Sequence, residues 1–528
     1  MTGETRPRTT RPTVASREGM VASGHPLATA AALDVLRDGG TAADAAVAAA
    51  AVCAVVLPHR TSIGGDLFAL AFDHRTGRVD AYNGSGAAPT SVRADLFPGG
   101  FPKGGVILAT VPGCVAGWED LLAGHGRFGL DRLLAPAIRI AEDGYRVSAG
   151  LADALSRWGA KFSGDPEGAR LFLPGGRPLQ AGDVLRQPDL AWSLRRIADH
   201  GAADFYRGEL AERLVNGSSS LGGALTLDDM AQHATEKTQP LSIRYRDLSV
   251  LVPPPVSLGF VLLEELAILD GIDLSEREWG DAELVHVMVE AKKVAFADRD
   301  RAAGDPRLTG FDARDLLGTR AIAARRSRIG PFAADPDAGI EAGATDTTYL
   351  AVVDRERNVV SLIESIFNAF GAAAVVPATG IVLNDRLAGF SLDPRSPNAL
   401  APRKRPMHTL NPVLVTQNGR PKGAFGTPAR DAQVQTNFQI AVGLIDFDMD
   451  VQEVIEWPRW RHDTGRRLQL EGRAPVALRE ALAAKGHEVE MLEDWSTYTG
   501  GVQAIWIDDD GGLRGGADPR REGVAAGI

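Results

Sequence analysis

The sequence predicts an α+β protein whose antiparallel sheets pack in layers, and three observations carry that expectation. Strand signals come in two batches, before and after a mainly helical block. Neighbouring strands are joined by short turns such as Arg75-Thr76-Gly77 and Gln417-Asn418-Gly419, which build antiparallel hairpins. The regular strand–helix–strand alternation that marks a parallel sheet is missing.

Residues 1–16 are rich in Thr, Arg and Pro and are expected to be disordered. A short strand at Gly19–Ser23 leads into a helix from about Leu27 to Arg37, ended by Asp38-Gly39-Gly40. The next helix, Ala42–Val56, is so rich in alanine that it must pack closely, and Pro58 stops it. Gly64-Gly65 then permits close backbone approach ahead of a strand pair, Leu67–Asp73 and Arg78–Asn83. A further strand is expected from Gly104 to Val111. Residues 117–156 read as helical and 157–240 as helices and loops, with Asp228–Thr235 a helix. Leu241–Val252 reads as a strand pair, followed by helices at Phe260–Leu269 and Ala282–Phe296. The second of these carries Val285, Val289 and Val294 near helical spacing. Residues 303–345 are polar, with Pro and Gly, and are expected to form an exposed connector. The last third reads as strands at Thr348–Val353, Val359–Ile363 and Gly380–Asn384, then a hairpin at Pro412–Gly426. A helix at Asp431–Ile445 and a closing hairpin of Val502–Ile507 with Leu513–Gly516 complete the chain.

A chain of 528 residues suits two to four domains of roughly 150 residues, or one large layered body. Lys and Arg number 57 and Asp and Glu 68, for a net charge of −11, which argues against nucleic acid or an anionic membrane as partner. Two cysteines, Cys53 and Cys114, make no disulfide framework and read as core thiols. The N-terminus shows no apolar signal region. The longest apolar run, Ala45–Leu57, is shorter than the roughly 20 residues a spanning helix needs. A cytoplasmic protein is expected. Phosphate-loop, dinucleotide, HExxH, CxxC and GxSxG motifs are absent from the sequence, so the chemistry is expected to use no cofactor and no metal.

The chemically distinctive stretch is Asp346-Thr347-Thr348, at the entry of the Thr348–Val353 strand. If the peptide bond before such a hydroxyl is cut, the freed α-amino group can act as its general base. The ordinary alternative is a β-forming Thr pair with a local hydrogen bond. These residues alone leave both readings open.

Taken together, the motifs resemble the γ-glutamyltransferase (glutathione hydrolase) family of N-terminal-nucleophile hydrolases over about residues 17–526. The pieces are Gly19–Ser23, Gly40–Val47, Pro58-His59 with Ile63-Gly64-Gly65, Val111-Pro112-Gly113, and Ala295–Arg299. Asp346-Thr347-Thr348 with Val352-Val353-Asp354, Gly380-Ile381 with Leu383-Asn384, Lys404-Arg405-Pro406 and Asp518-Pro519-Arg520 follow in the same order. The resemblance implies a four-layer αββα sandwich, the N-terminal-nucleophile hydrolase fold. It also implies a precursor that cuts itself between Asp346 and Thr347, giving a large subunit, 17–346 after the N-terminal tail, and a small one, 347–528. The expected assembly is a heterodimer of these subunits, or a dimer of such heterodimers. Thr347 would attack an amide and pass the acyl group to water or an amine. Thr348 would assist, and Ser365, on the paired strand, would hold the nucleophile.

The resemblance also marks departures. The position of the family's glutamate-binding Arg is Ser85, counted back from Pro89, and that of its ammonium-binding Asp is Gly389. The Ser-Ser pair after Arg-Pro becomes His408 and Thr409, and the Gly-Gly oxyanion turn becomes Ala429 and Arg430. The segment Phe390–Pro406 is short, so an open cleft is expected. Arg386 stands three residues before Gly389, and Arg430 stands at the oxyanion turn. If they face the cleft, the pocket has exchanged an ammonium reader for guanidinium groups that suit a carboxylate. The alternative is that either points to solvent or pairs with a local acid such as Asp385 or Asp431. The implied partners are a small-molecule acyl donor with water or an amine as acceptor. The leading expectation is a self-processing γ-glutamyltransferase-like amide hydrolase or transferase. The alternatives are a cephalosporin-acylase-like or carbon–carbon-cleaving relative, and a non-enzymatic relic of the fold.

Overall fold

The computed structural model describes residues 9–335 and 347–528. Two seven-stranded sheets face each other. The first runs Val524–Gly527, Met20–Ser23, Thr348–Val353, Val359–Ser365, Asp66–Asp73, Arg78–Gly84 and Glu236–Thr238. The second runs Val14–Ser16, Leu513–Ala517, Gln503–Ile507, Arg420–Gly426, Val413–Gln417, Leu248–Val252 and Leu241–Tyr245. Each pairing in the two sheets is antiparallel.

Strand periodicity builds the layers. Along Thr348–Val353, Tyr349, Ala351 and Val353 point between the sheets, where they meet Leu414, Ala424 and Ile505. Leu350 and Val352 point the other way, into a core shared with Pro26–Arg37, Ala42–Val56 and Cys114–His125. A matching core on the outer face of the second sheet holds Gly259–Asp270, Ala282–Ala302 and Ala432–Ile445. The order helices, sheet, sheet, helices is the expected αββα sandwich. Ala42–Val56 is buried along its whole length, and a capping box of Thr41 and Asp44 starts it. Its alanines let it lie close against the sheet.

Four local expectations are corrected. Val14–Ser16 is an edge strand on Leu513–Gly515, so disorder does not extend to residue 16. Gly104–Val111 is not a strand but a loop with a short 3₁₀ turn at Val106–Leu108. Its backbone is satisfied elsewhere: Gly105 donates to the Ala372 carbonyl, and the Asn384 side chain accepts from the Thr110 N–H. The helix expected at Asp228–Thr235 covers only Leu227–Ala231, because the chain turns at once into the Glu236–Thr238 strand. Residues 303–335 are more than a connector: Pro306–Thr309 and Thr319–Arg326 are helical, and Arg326 donates to the carbonyls of Ala267 and Ile268. The proposed cut after Asp346 lies outside the described residues.

Candidate active site

Thr347 stands just before the Thr348–Val353 strand and is buried. Its Oγ1 donates to Ser365 Oγ at 3.0 Å, and the same Ser365 oxygen accepts the Phe367 N–H at 2.9 Å. Register explains the meeting. Thr348 lies opposite Glu364 in the ladder, so Thr347 lies beside Ser365, on the face between the sheets. Gly65 makes room for this end of the sheet, since a Cβ there would lie 2.5 Å from the Ser365 carbonyl oxygen. Thr348 points to the other face. Its buried hydroxyl lies against Gly24 and the Cys53 thiol, away from the Thr347–Ser365 pair, so its side chain does not reach Thr347 Oγ1.

The turn at Ala429-Arg430 retains a conformation that ordinarily favours glycine, with φ of 127° and 46°. Two side-chain-bearing residues held there cost on the order of 1–3 kcal/mol each. Among the described residues, neither N–H donates to a protein acceptor. Two free, adjacent N–H groups are what a developing oxyanion requires.

A cavity of about 350 Å³ lies beside this turn, lined by Gly389, Thr409, Arg430, Phe367, Arg299 and Asp431 among others. That volume suits a small ligand. Phe367 connects it to Thr347 through Ser365. The Arg430 guanidinium carbon sits 4.5 Å from the centre of the Phe367 ring.

Three expected substrate contacts lie elsewhere. Arg386 is buried and donates through Nε to Asp66 at 2.9 Å, with its guanidinium carbon 4.6 Å from the centre of the Phe367 ring. It is part of the interior and not of the cavity wall, because the Asp66 carboxylate claims it. Ser85 is fully buried and donates to Asn83 Oδ1 at 2.6 Å in an Asx-type turn. His408 is fully buried, tilted against Phe68 at 5.1 Å, and burial holds its pKa well below the usual histidine range. It is a neutral core ring. Gly389 does line the cavity, and its carbonyl accepts from Asn398 Nδ2 at 2.7 Å.

The sequence reading missed Phe367, the floor of the site, and Asp66, which fixes two loops at once: Oδ2 takes Arg386, and Oδ1 accepts the Gly86 N–H at 3.1 Å. The run Gly64-Gly65-Asp66 was the signal available for Asp66. Among the described residues one set of potential metal donors also converges, His286, Glu290 and His487, all buried. These donors are already engaged. His286 Nδ1 and His487 Nε2 pair at 2.9 Å, His286 Nε2 meets the Gly330 carbonyl, and the Lys293 ammonium is 2.7 Å from Glu290.

The sequence model of Gamma-glutamyltranspeptidase matches residues 28–528. The chain is 39% identical over 517 residues to the Glutathione hydrolase-like YwrD proenzyme of Bacillus subtilis (strain 168), covering 96% of this chain and 98% of that one. It is 38% identical to the Oxamate amidohydrolase proenzyme of Klebsiella pneumoniae, covering 97% and 99%. Among solved structures, cephalosporin acylase from Bacillus halodurans superimposes with a TM-score of 0.93 at 36% identity, over 100% of this chain and 99% of that one. In sequence over nearly its whole length and in fold, the chain belongs to the gamma-glutamyltranspeptidase family of N-terminal-nucleophile hydrolases.

Proposed function

We propose that the chain is cut before Thr347 and that the freed threonine hydrolyses a small amide through a threonyl acyl-enzyme. The observation that carries this reading is the hydroxyl of Thr347, held by Ser365 at 3.0 Å at the head of its strand. In the cut protein the α-amine takes the Thr347 hydroxyl proton while Oγ1 adds to the amide carbonyl. The carbonyl oxygen becomes an oxyanion facing the N–H groups of Ala429 and Arg430. The C–N bond breaks, and the leaving amine takes the proton back from the α-ammonium. Water, losing a proton to the α-amine, then adds to the ester, and the acid is released with Thr347 restored. An amine in place of water gives transfer.

The relatives' names cover glutathione, oxamate and cephalosporin-type amides. For this chain the γ-glutamyl group is the weaker candidate, because the zwitterion readers of the family are replaced by a buried Ser85 and by Gly389. Loss of one partner of a desolvated charge pair costs on the order of 2–5 kcal/mol.

Purified protein should run as two chains on a denaturing gel, with Thr347 the first residue of the smaller. Thr347→Ala should remain one chain and turn over no donor. An active, uncut Thr347→Ala protein would overturn the assignment.

A further inference from the structure

We propose that Arg430 reads a carboxylate on the acyl group, so that the substrates are monoamides of dicarboxylic acids lacking an α-ammonium. The inference rests on the threonyl acyl-enzyme reading above and adds the identity of the group bound beside it.

The charges around the cavity select Arg430. Four charged side chains line it: Arg299, Asp300, Asp431 and Arg430. Arg299 NH1 is 2.7 Å from Asp431 Oδ1, and its Nε donates to Asp300 Oδ1 at 2.7 Å. Both carboxylates of the wall are therefore committed to one guanidinium. Among the described residues, each acid that lines the cavity is already paired with Arg299, so a substrate ammonium would compete with that guanidinium. Arg386, the buried cation that also lies over the Phe367 ring, is neutralised by Asp66. Among the described residues Arg430 has no carboxylate partner, and its guanidinium lies against the Phe367 ring.

Stacking on a ring engages the guanidinium face and leaves the N–H edge free for a planar anion. The position adds a geometric link. Arg430 supplies a main-chain N–H to the oxyanion turn and a side chain to the cavity, so one residue connects the scissile carbonyl to the far end of the acyl group. A chain that also carries an ammonium brings a cation beside Arg430 without a counter-ion.

The test uses three p-nitroanilides of similar length: glutaryl, γ-glutamyl and uncharged pentanoyl. Each is assayed on the wild-type, self-cleaved protein and on Arg430→Ala and Arg430→Lys, with a denaturing gel of every sample. The expected wild-type order in kcat/KM is glutaryl first, by at least tenfold over the other two. Arg430→Ala should lower the glutaryl-to-pentanoyl ratio at least tenfold, and Arg430→Lys should restore part of it. A second measurement needs no variant: glutarate should inhibit wild type competitively at least tenfold more tightly than glutaramide, less so as salt is raised. A cut, active protein that prefers the γ-glutamyl or pentanoyl donor, or that binds glutarate and glutaramide alike, overturns the carboxylate assignment alone. Failure to cut or to process any donor overturns the acyl-enzyme reading on which it stands.

Discussion

Asp66 and Arg386 form a buried ion pair, Oδ2 to Nε 2.9 Å, between the head of one strand and a loop 320 residues later in sequence. Neither side chain meets solvent appreciably. Removing one partner of such a pair leaves an uncompensated buried charge, which costs about 3–5 kcal/mol. Arg386→Met is expected to lose stability on that scale, and Asp66→Asn combined with Arg386→Met to recover much of it. Thermal melts at fixed protein concentration measure this. The pair also separates Arg386 from substrate reading: among variants that stay folded, the preference between anionic and neutral donors should follow Arg430 and not Arg386. A stable Arg386→Met protein that has lost its anionic preference would reverse the roles.

Among the described residues, Ser365 accepts hydrogen bonds from the Thr347 hydroxyl and the Phe367 N–H. Ser365→Ala removes the acceptor for both. A deleted hydrogen bond of this neutral kind is worth about 1 kcal/mol, so self-cleavage and turnover should each slow by roughly fivefold or more, with KM changed less than kcat. Time courses of cleavage on a gel and steady-state rates report the two effects. Unchanged rates would make Ser365 an ordinary member of the sheet.

Features fixed by neighbours in sequence were legible from the sequence. The strand Thr348–Val353 and its antiparallel partner from Val359 were plain from their residues, while the resemblance pointed to Ser365 as the neighbour of Thr347. Gln417-Asn418-Gly419 announced a tight hairpin, with Asn418 and Gly419 at φ of 51° and 75°. Features fixed by distant partners were not. Arg386 could be read as a free cation because Asp66 is far away in the chain. The Gly104–Val111 segment has strand-like residues, yet the Asn384 amide, 274 residues on, takes the Thr110 backbone that a ladder would need. The helices after residue 303 were hidden by polar composition, since Ile322 supplies their buried contact and Arg326 docks on the end of another helix. The Ala429-Arg430 turn shows the converse: its sequence argues against positive φ, and the resemblance, not propensity, located it.

Glu364 makes the stability depend on pH. It lies opposite Thr348 in the ladder, fully buried, and accepts a hydrogen bond from the Cys114 thiol at 3.3 Å. Burial pushes its carboxyl from 4.5 up to about 8, against the weaker opposing effect of the thiol. The folded protein therefore keeps this proton in a range where the unfolded chain has released it. The resulting stability is fully present below about pH 4.5 and is lost as the pH rises through about 8. Between those limits the slope is about 1.4 kcal/mol per pH unit at most. Glu364→Gln keeps the shape and removes the titration. Its melting temperature relative to wild type should climb steadily from pH 5 to pH 8, measured at fixed concentration and ionic strength. Other buried acids, such as Glu265, tilt both curves alike and cancel in the difference. Parallel curves for the two proteins across that range would show that Glu364 is ionised in the fold, and the wall behind Thr348 would then hold a charge.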